Sequence, residues 1–267
     1  MKKQRIRRWM DYGILALSLA LIIQVGLLIP DAAATMANGN DWGLKFVEDG
    51  QQPRGNAEAE DLAQYDAFFI GNSEDKVLYL TFDCGYETGN TSTILDVLKS
   101  EQVPAAFFVT GGYLKRNPDL ILRMAQEGHI VGNHTYSHPD MSKISSKESL
   151  QKELEQCEKL YEEIVGQPMP KYYRPPAGKY SVDNLKNAQC LGYKTMFWSL
   201  AYVDWKKNDQ PSKEQVFDKI LSRTHNGAVI LLHNTSDTNT AYLCELIQTW
   251  KSQGYSFGTL DQLTGPS

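Results

Sequence analysis

The chain has 267 residues, 42% of them hydrophobic, and a formal net charge of -5. That is enough apolar material for one large core, while four scattered cysteines exclude a disulfide framework and a CxxC zinc site. With residues 1–37 set aside, 22 Lys and Arg stand against 30 Asp and Glu, a net -8 that disfavours nucleic acid and anionic lipid as partners.

Lys2, Lys3, Arg5, Arg7 and Arg8 precede an apolar run from Ile14 to Ile29, closed by Pro30 and Asp31-Ala32-Ala33-Ala34. This is the layout of an export signal. Residues 1–37 are therefore expected either to be removed as a signal peptide or to stay as an N-terminal membrane anchor, with the domain extracytoplasmic in both cases. Residues 38–75, rich in Gly, Asn, Gln and Glu with Trp42, Phe46, Tyr65, Phe68 and Phe69 as apolar points, read as an extension packed on the domain at 76–264.

Strands are predicted over 77–82, 105–109, 130–131, 172–173, 195–200, 228–232 and 255–257. Helices are predicted over 91–99, 118–126, 147–165, 182–190, 212–223 and 240–253. Asn117-Pro118 and Gln210-Pro211-Ser212 are helix starts; Gly128, Gly166, Gly192 and Gly254 are stops. Strand followed by helix, repeated about seven times, means an α/β protein with parallel strands under helices. No GxGxxG follows the first strand, which favours a β/α barrel over an open doubly wound sheet.

In such a barrel the chemistry sits at the carboxyl ends of the strands, where polar residues interrupt apolar runs. The first run ends in Asp83-Cys84-Gly85-Tyr86; alone, the Asp would equally serve as a helix cap. The third ends in His134-Thr135-Tyr136-Ser137-His138, two histidines four apart that on one helical turn could share a metal. His129 and His225 stand alone and read as structural. Arg174-Pro175-Pro176-Ala177-Gly178 puts a guanidinium on a stiff loop, Asp204 lies between Val203 and Trp205, and the run 228–232 ends in His233. Taken singly, each has an ordinary structural explanation. Serine hydrolase, zincin and nucleotide-triphosphatase motifs are missing.

In order, TFDCG, HTYSH, RPPAG, VDW and LLH over residues 77–260 resemble the motif series of the polysaccharide deacetylases of carbohydrate esterase family 4. Residues 78–87, 55–67 and 197–205 look most like the spore-cortex N-acetylmuramic acid deacetylases that lead to muramic δ-lactam. The resemblance implies a distorted (β/α)7 barrel, the NodB homology fold, and a divalent metal, with Zn²⁺ as the expected ion. It implies hydrolysis of an N-acetyl group on a peptidoglycan glycan strand, with sporulation as the setting; an N-acetylglucosamine or chitooligosaccharide deacetylase and a weakly active wall-binding protein are the competing readings. The family pattern makes His134 and His138 the metal ligands, Asp83 the general base, Arg174 its ion-pair partner, and His233 the general acid oriented by Asp204. Tyr86, through its backbone N–H, and Pro175, Trp205 and Leu231 would meet the substrate. Where the usual motif has a second ligating Asp, this chain has Cys84, either a thiolate completing a His₂Cys site or a neutral filler.

Overall fold

The computed structural model describes residues 40–265; the leader or anchor expected over 1–37 lies outside them. Among the described residues no helix is long and apolar enough to cross a membrane. The main sheet is built from β1 (Ala67–Phe68), β2 (Val77–Cys84), β3 (Ala105–Val109), β4 (Ile130–Asn133), β5 (Tyr172–Tyr173), β6 (Lys194–Met196), β7 (Leu200–Ala201), β8 (Val229–His233) and β9 (Ser256–Phe257). The helices are α1 (Ala59–Ala63), α2 (Thr91–Glu101), α3 (Gly111–Arg116), α4 (Pro118–Gln126), α5 (Lys147–Val165), α6 (Val182–Cys190), α7 (Lys213–Arg223), α8 (Asp237–Ser252) and α9 (Leu260–Thr264).

Every strand pair in this sheet is parallel, in the order β7-β8-β2-β3-β4-β5-β6-β1, with β9 added to the start of β2. The single strand predicted over 195–200 is two short ones. Its first part pairs with β5 and β1, its last part with β8 at the far end of the order. One stretch of chain thus reaches both sides of the sheet, which has to curl to allow it. The curled, helix-covered sheet is the distorted barrel that the motif series implied.

Strand periodicity divides the core in two. Leu78, Leu80, Phe82 and Cys84 of β2 face outward into the layer of helices, with Ala105, Phe107 and Val109 of β3 and Ile230 and Leu232 of β8. Ala106 and Phe108 turn inward to meet Tyr172, Met196 and Leu260. A Cβ on Gly132 would come within 2.7 Å of the Phe108 ring, so a residue without a side chain is what lets that ring lie across β4. The inner face ends in polar groups at the carboxyl ends of the strands.

Helix α5 shows how locally these elements are set. Ser146 caps it by accepting from Ser149 N–H, Leu150, Leu154, Cys157 and Tyr161 form its buried stripe, and Gly166 ends it at φ 76°. His129 and His225 have structural bonds: His129 Nδ1 accepts from Ala105 N–H at 3.2 Å, and His225 Nε2 bonds Ser199 Oγ at 2.9 Å. Of the three helical cysteines only Cys157 is a small buried hydrophobe, since Cys190 is exposed and Cys244 half-buried.

The extension does more than lie on the barrel. Its β1 is an edge strand of the main sheet, and Asn40–Asp41 pairs antiparallel with Lys179–Tyr180 beside the RPPAG loop. Trp42 donates from Nε1 to the Trp198 carbonyl at 2.9 Å and stacks on Phe197 at 4.7 Å between centroids. It therefore braces the segment on which barrel curvature depends. Replacing Trp42 with Ala should cost roughly 3–5 kcal/mol, as for other large buried aromatics. Urea unfolding reads this as a lowered midpoint with an unchanged slope, and an unaltered midpoint would show that the brace is dispensable.

Candidate active site

Asp83 closes the inward face of β2, and Arg174 follows β5 directly. The guanidinium is fully buried and every face of it is used. Nη1 donates to Asp83 Oδ1 and to Thr81 Oγ1, both at 2.9 Å; Nε donates to the Met196 carbonyl at 2.9 Å and Nη2 to the Phe197 carbonyl at 3.1 Å. The Phe108 ring lies beneath it at 4.2 Å. Burial opposes ionisation of Asp83, but His134, Arg174 and His233 outweigh it and hold the carboxyl below its ordinary pKa. The carboxylate is charged at neutral pH.

His134 lies just past β4. Its Nδ1–H donates to the Arg174 carbonyl at 2.8 Å, which turns Nε2 toward Asp83 Oδ2, 3.5 Å away. Burial pushes the imidazole pKa down to about 4, so at neutral pH an unprotonated nitrogen confronts an ionised oxygen. Two lone-pair donors in that relation suit a cation. The His138 ring stands 5.0 Å from that of His134. The two histidines are on a loop and not on the helical turn expected: Thr135 and His138 adopt positive φ, 64° and 57°, and Thr135 Oγ1 accepts from His138 N–H at 3.1 Å. The loop brings the rings together where a helix was invoked.

Cys84 corrects an expectation. Next to an inward Asp83, the pleat sends it outward, fully buried in the apolar layer beneath the helices. Burial, with Asp83 and Glu87 adding, raises its pKa well above the ordinary thiol value, so it is a neutral thiol there. The His₂Cys set does not assemble, and no group of three His, Cys, Asp or Glu side chains among the described residues forms a ready-made metal cage. The two histidines beside Asp83 still fit an ion that keeps open positions.

His233 ends β8 directly alongside Asp83 in the register. Its Nδ1–H donates to Asp204 Oδ1 at 2.6 Å, and its backbone N–H donates to Asp204 Oδ2 at 2.7 Å. Asp204 is fully buried and also accepts from Asn239 Nδ2 at 2.6 Å, in the first turn of α8. Burial alone would lower the His233 pKa; the Asp204 bond and charge, with Asp83, raise it instead. The two dyads face one crevice of about 1050 Å³. Leu231, Tyr86 and Trp205 line it, with the Trp205 ring 5.3 Å from that of His233. Pro175, expected to meet the substrate, is buried within the RPPAG loop, and it is Ala177 that reaches the crevice.

The family model described as polysaccharide deacetylase matches residues 70–196. Peptidoglycan-N-acetylmuramic acid deacetylase PdaA of Bacillus subtilis is 42% identical over 241 residues, 89% of this chain and 91% of that protein. The chain belongs to the polysaccharide deacetylase family. An uncharacterised 30.6 kDa protein of Geobacillus stearothermophilus is 47% identical across 87% of the chain and 88% of its own length. The structure of Bacillus subtilis PdaA, a family 4 carbohydrate esterase, superposes with a TM-score of 0.80 at 42% identity, covering 84% of this chain and 96% of that one. As a deacetylase of carbohydrate esterase family 4 the chain is a hydrolase, and its motif residues are the ones the barrel gathers.

The deacetylase site also rests on residues to which the motifs assigned no role. Asn234 Nδ2 donates to the Tyr86 carbonyl at 2.8 Å and to Thr91 Oγ1 at 2.9 Å, while Tyr113 donates to Glu87 Oε2 at 2.8 Å and Thr91 bonds the same oxygen. This network fixes the loop after Asp83 against β8. Thr81, Gln210 and Asn239 brace the two dyads in the same way. The one available signal was Thr81, inward by alternation from Asp83.

Replacing Arg174 with Met leaves the Asp83 carboxylate buried and unpaired, a loss of roughly 3–5 kcal/mol at neutral pH. The folded pKa of Asp83 is depressed, so its share of stability is present above the unfolded value of about 3.9 and is lost as pH falls through the lower folded value. Unfolding curves across the acid range should therefore be flatter for the variant than for the wild type; parallel curves would show that the pair contributes nothing.

Proposed function

We propose that this chain hydrolyses the N-acetyl group of N-acetylmuramic acid in peptidoglycan, outside the cytoplasm. The observation that carries the reading is the register of β2 and β8, which sets an ionised Asp83 beside a His233 whose protonated form is favoured. An amide needs both, a base for the attacking water and an acid for the departing nitrogen. The 42% identity over nearly the full length of the muramic acid deacetylase PdaA supports the sugar.

Asp83 accepts a proton from water entering the crevice, and Arg174 keeps that carboxylate ionised and aimed. The backbone N–H of Tyr86 faces the developing oxyanion, its loop held by Asn234. His233 gives the proton of Nε2 to the leaving amine, and Asp204 holds the imidazolium by Nδ1–H. His134 and His138 would hold a divalent cation, zinc by their chemistry, which when bound would supply the charge that polarises the acetyl carbonyl. Leu231 and Trp205 enclose the acetyl methyl and keep bulk water away. In the free product the muramic amine lies close to its own lactyl carboxylate, and their condensation gives the δ-lactam of spore cortex.

Acetate release from peptide-free muramic glycan, lost with a chelator and restored by zinc, is the expected outcome; release from N-acetylglucosamine residues alone would refute the substrate. Cys84→Ser should bind as much zinc as the wild type, and a metal-free variant would return the thiol to the ligand set. Asp204→Asn removes what raises the His233 pKa, so the alkaline limb of kcat/KM should move to lower pH, with a rate loss of about 10²–10⁴. An unmoved limb would exclude His233 as the acid.

A further inference from the structure

Apart from Asp83 and the three histidines, the crevice is lined by the basic side chains Arg116 and Lys207, in a chain of net charge -5. Amide hydrolysis as derived above uses neither. Arg116, at the end of α3, donates from Nη2 to the Gly85 carbonyl at 3.3 Å and lies over the Tyr86 ring at 5.7 Å. A Cβ on Gly112 would sit 3.1 Å from the same nitrogen, so the bare backbone there gives the guanidinium its place against α3. A guanidinium has five N–H donors, and among the described residues Arg116 finds one acceptor and no carboxylate partner. The guanidinium is exposed at the edge of the crevice, so the donors it does not spend within the chain are open to a ligand there. Lys207, on the loop beyond Trp205, adds positive charge without comparable restraint.

The place of this group limits what the ligand is. Gly85, to which the guanidinium is bonded, is two residues past Asp83, and Arg116 lines the same crevice as Asp83 and His233. In muramic acid the acetamide and the lactyl ether are on neighbouring ring carbons, and the lactyl arm ends in a carboxylate when no peptide is attached. N-acetylglucosamine has a hydroxyl there, and a peptide-bearing muramic acid an uncharged amide. A planar, forked donor matches a carboxylate. We propose that Arg116 binds the free lactyl carboxylate and thereby selects peptide-free muramic acid over its peptide-bearing form and over glucosamine. The assignment rests on the muramic acid reading above and deepens it.

The test compares acetate release from peptide-free muramic glycan with release from the same glycan after its lactyl carboxylates are converted to methyl amides. For Arg116→Ala, KM on the free-carboxylate glycan should rise roughly tenfold, the scale of a hydrogen-bonded charge pair near water. Arg116→Lys, which keeps the charge and the aliphatic stem but loses the fork, should recover part of it. On the amidated glycan the wild type and Arg116→Ala should converge, because the interaction they differ in is absent from both. Equal KM values on the free-carboxylate glycan, or an undiminished difference on the amidated one, would overturn the role of Arg116. A wild-type protein that releases acetate from neither glycan would instead overturn the muramic acid reading.

Discussion

The buried ion pair of Arg174 and Asp83 is the constraint around which the rest of the barrel is arranged. Taking a guanidinium and a carboxylate out of water is expensive, and their attraction repays it only when the remaining hydrogen-bonding capacity is satisfied. Here Thr81, the Met196 and Phe197 carbonyls and the face of Phe108 meet that demand. The two carbonyls come from the last residue of β6 and the one after it, so Arg174 also anchors the segment that makes the sheet curl. Fold and chemistry thus depend on one side chain, and Trp42 supports the same segment from its other side.

Parallel register does the remaining positioning. Asp83 pairs with His233 on one neighbouring strand and with Phe108 on the other, while Asn133, one residue before His134, pairs with Tyr173, one residue before Arg174. Strands that end at one level deliver their terminal side chains to one level. Rigid strands carry Asp83 and His233, whereas His138, Asp204 and Trp205 arrive on loops whose shape is set by side-chain bonds to the backbone.

What could be read from the sequence follows from what is periodic. A polar residue ending an apolar run marks a strand end, and Asp83, His134 and His233 were visible for that reason. Alternation would also have placed Cys84 opposite Asp83, but the ligating position in the family motif pulled the other way. The turn holding His134 and His138 was misread because positive φ at Thr135 and His138 leaves no trace in residue type, unlike glycine. The strand in the extension was missed because Ala67–Phe68 is two residues long and acquires meaning only beside β6. The stretch 195–200 looked like one strand because its two halves are equally apolar; only pairing partners divide it.

Asp83, His134 and His233 are buried at one crevice, and burial acts on all three in the direction of neutrality. It succeeds only at His134, whose ring gives its one proton to a backbone carbonyl and has no buried carboxylate hydrogen-bonded to it. Asp83 escapes through Arg174 and the surrounding imidazoles, and His233 through Asp204. The difference in how burial leaves Asp83, His233 and His134 is therefore one of partner choice. Residue type alone could not separate His134 from His233, since both are strand-end histidines; what separates them is that one faces a carbonyl and the other a carboxylate, and those partners come from β5 and from the loop after β7.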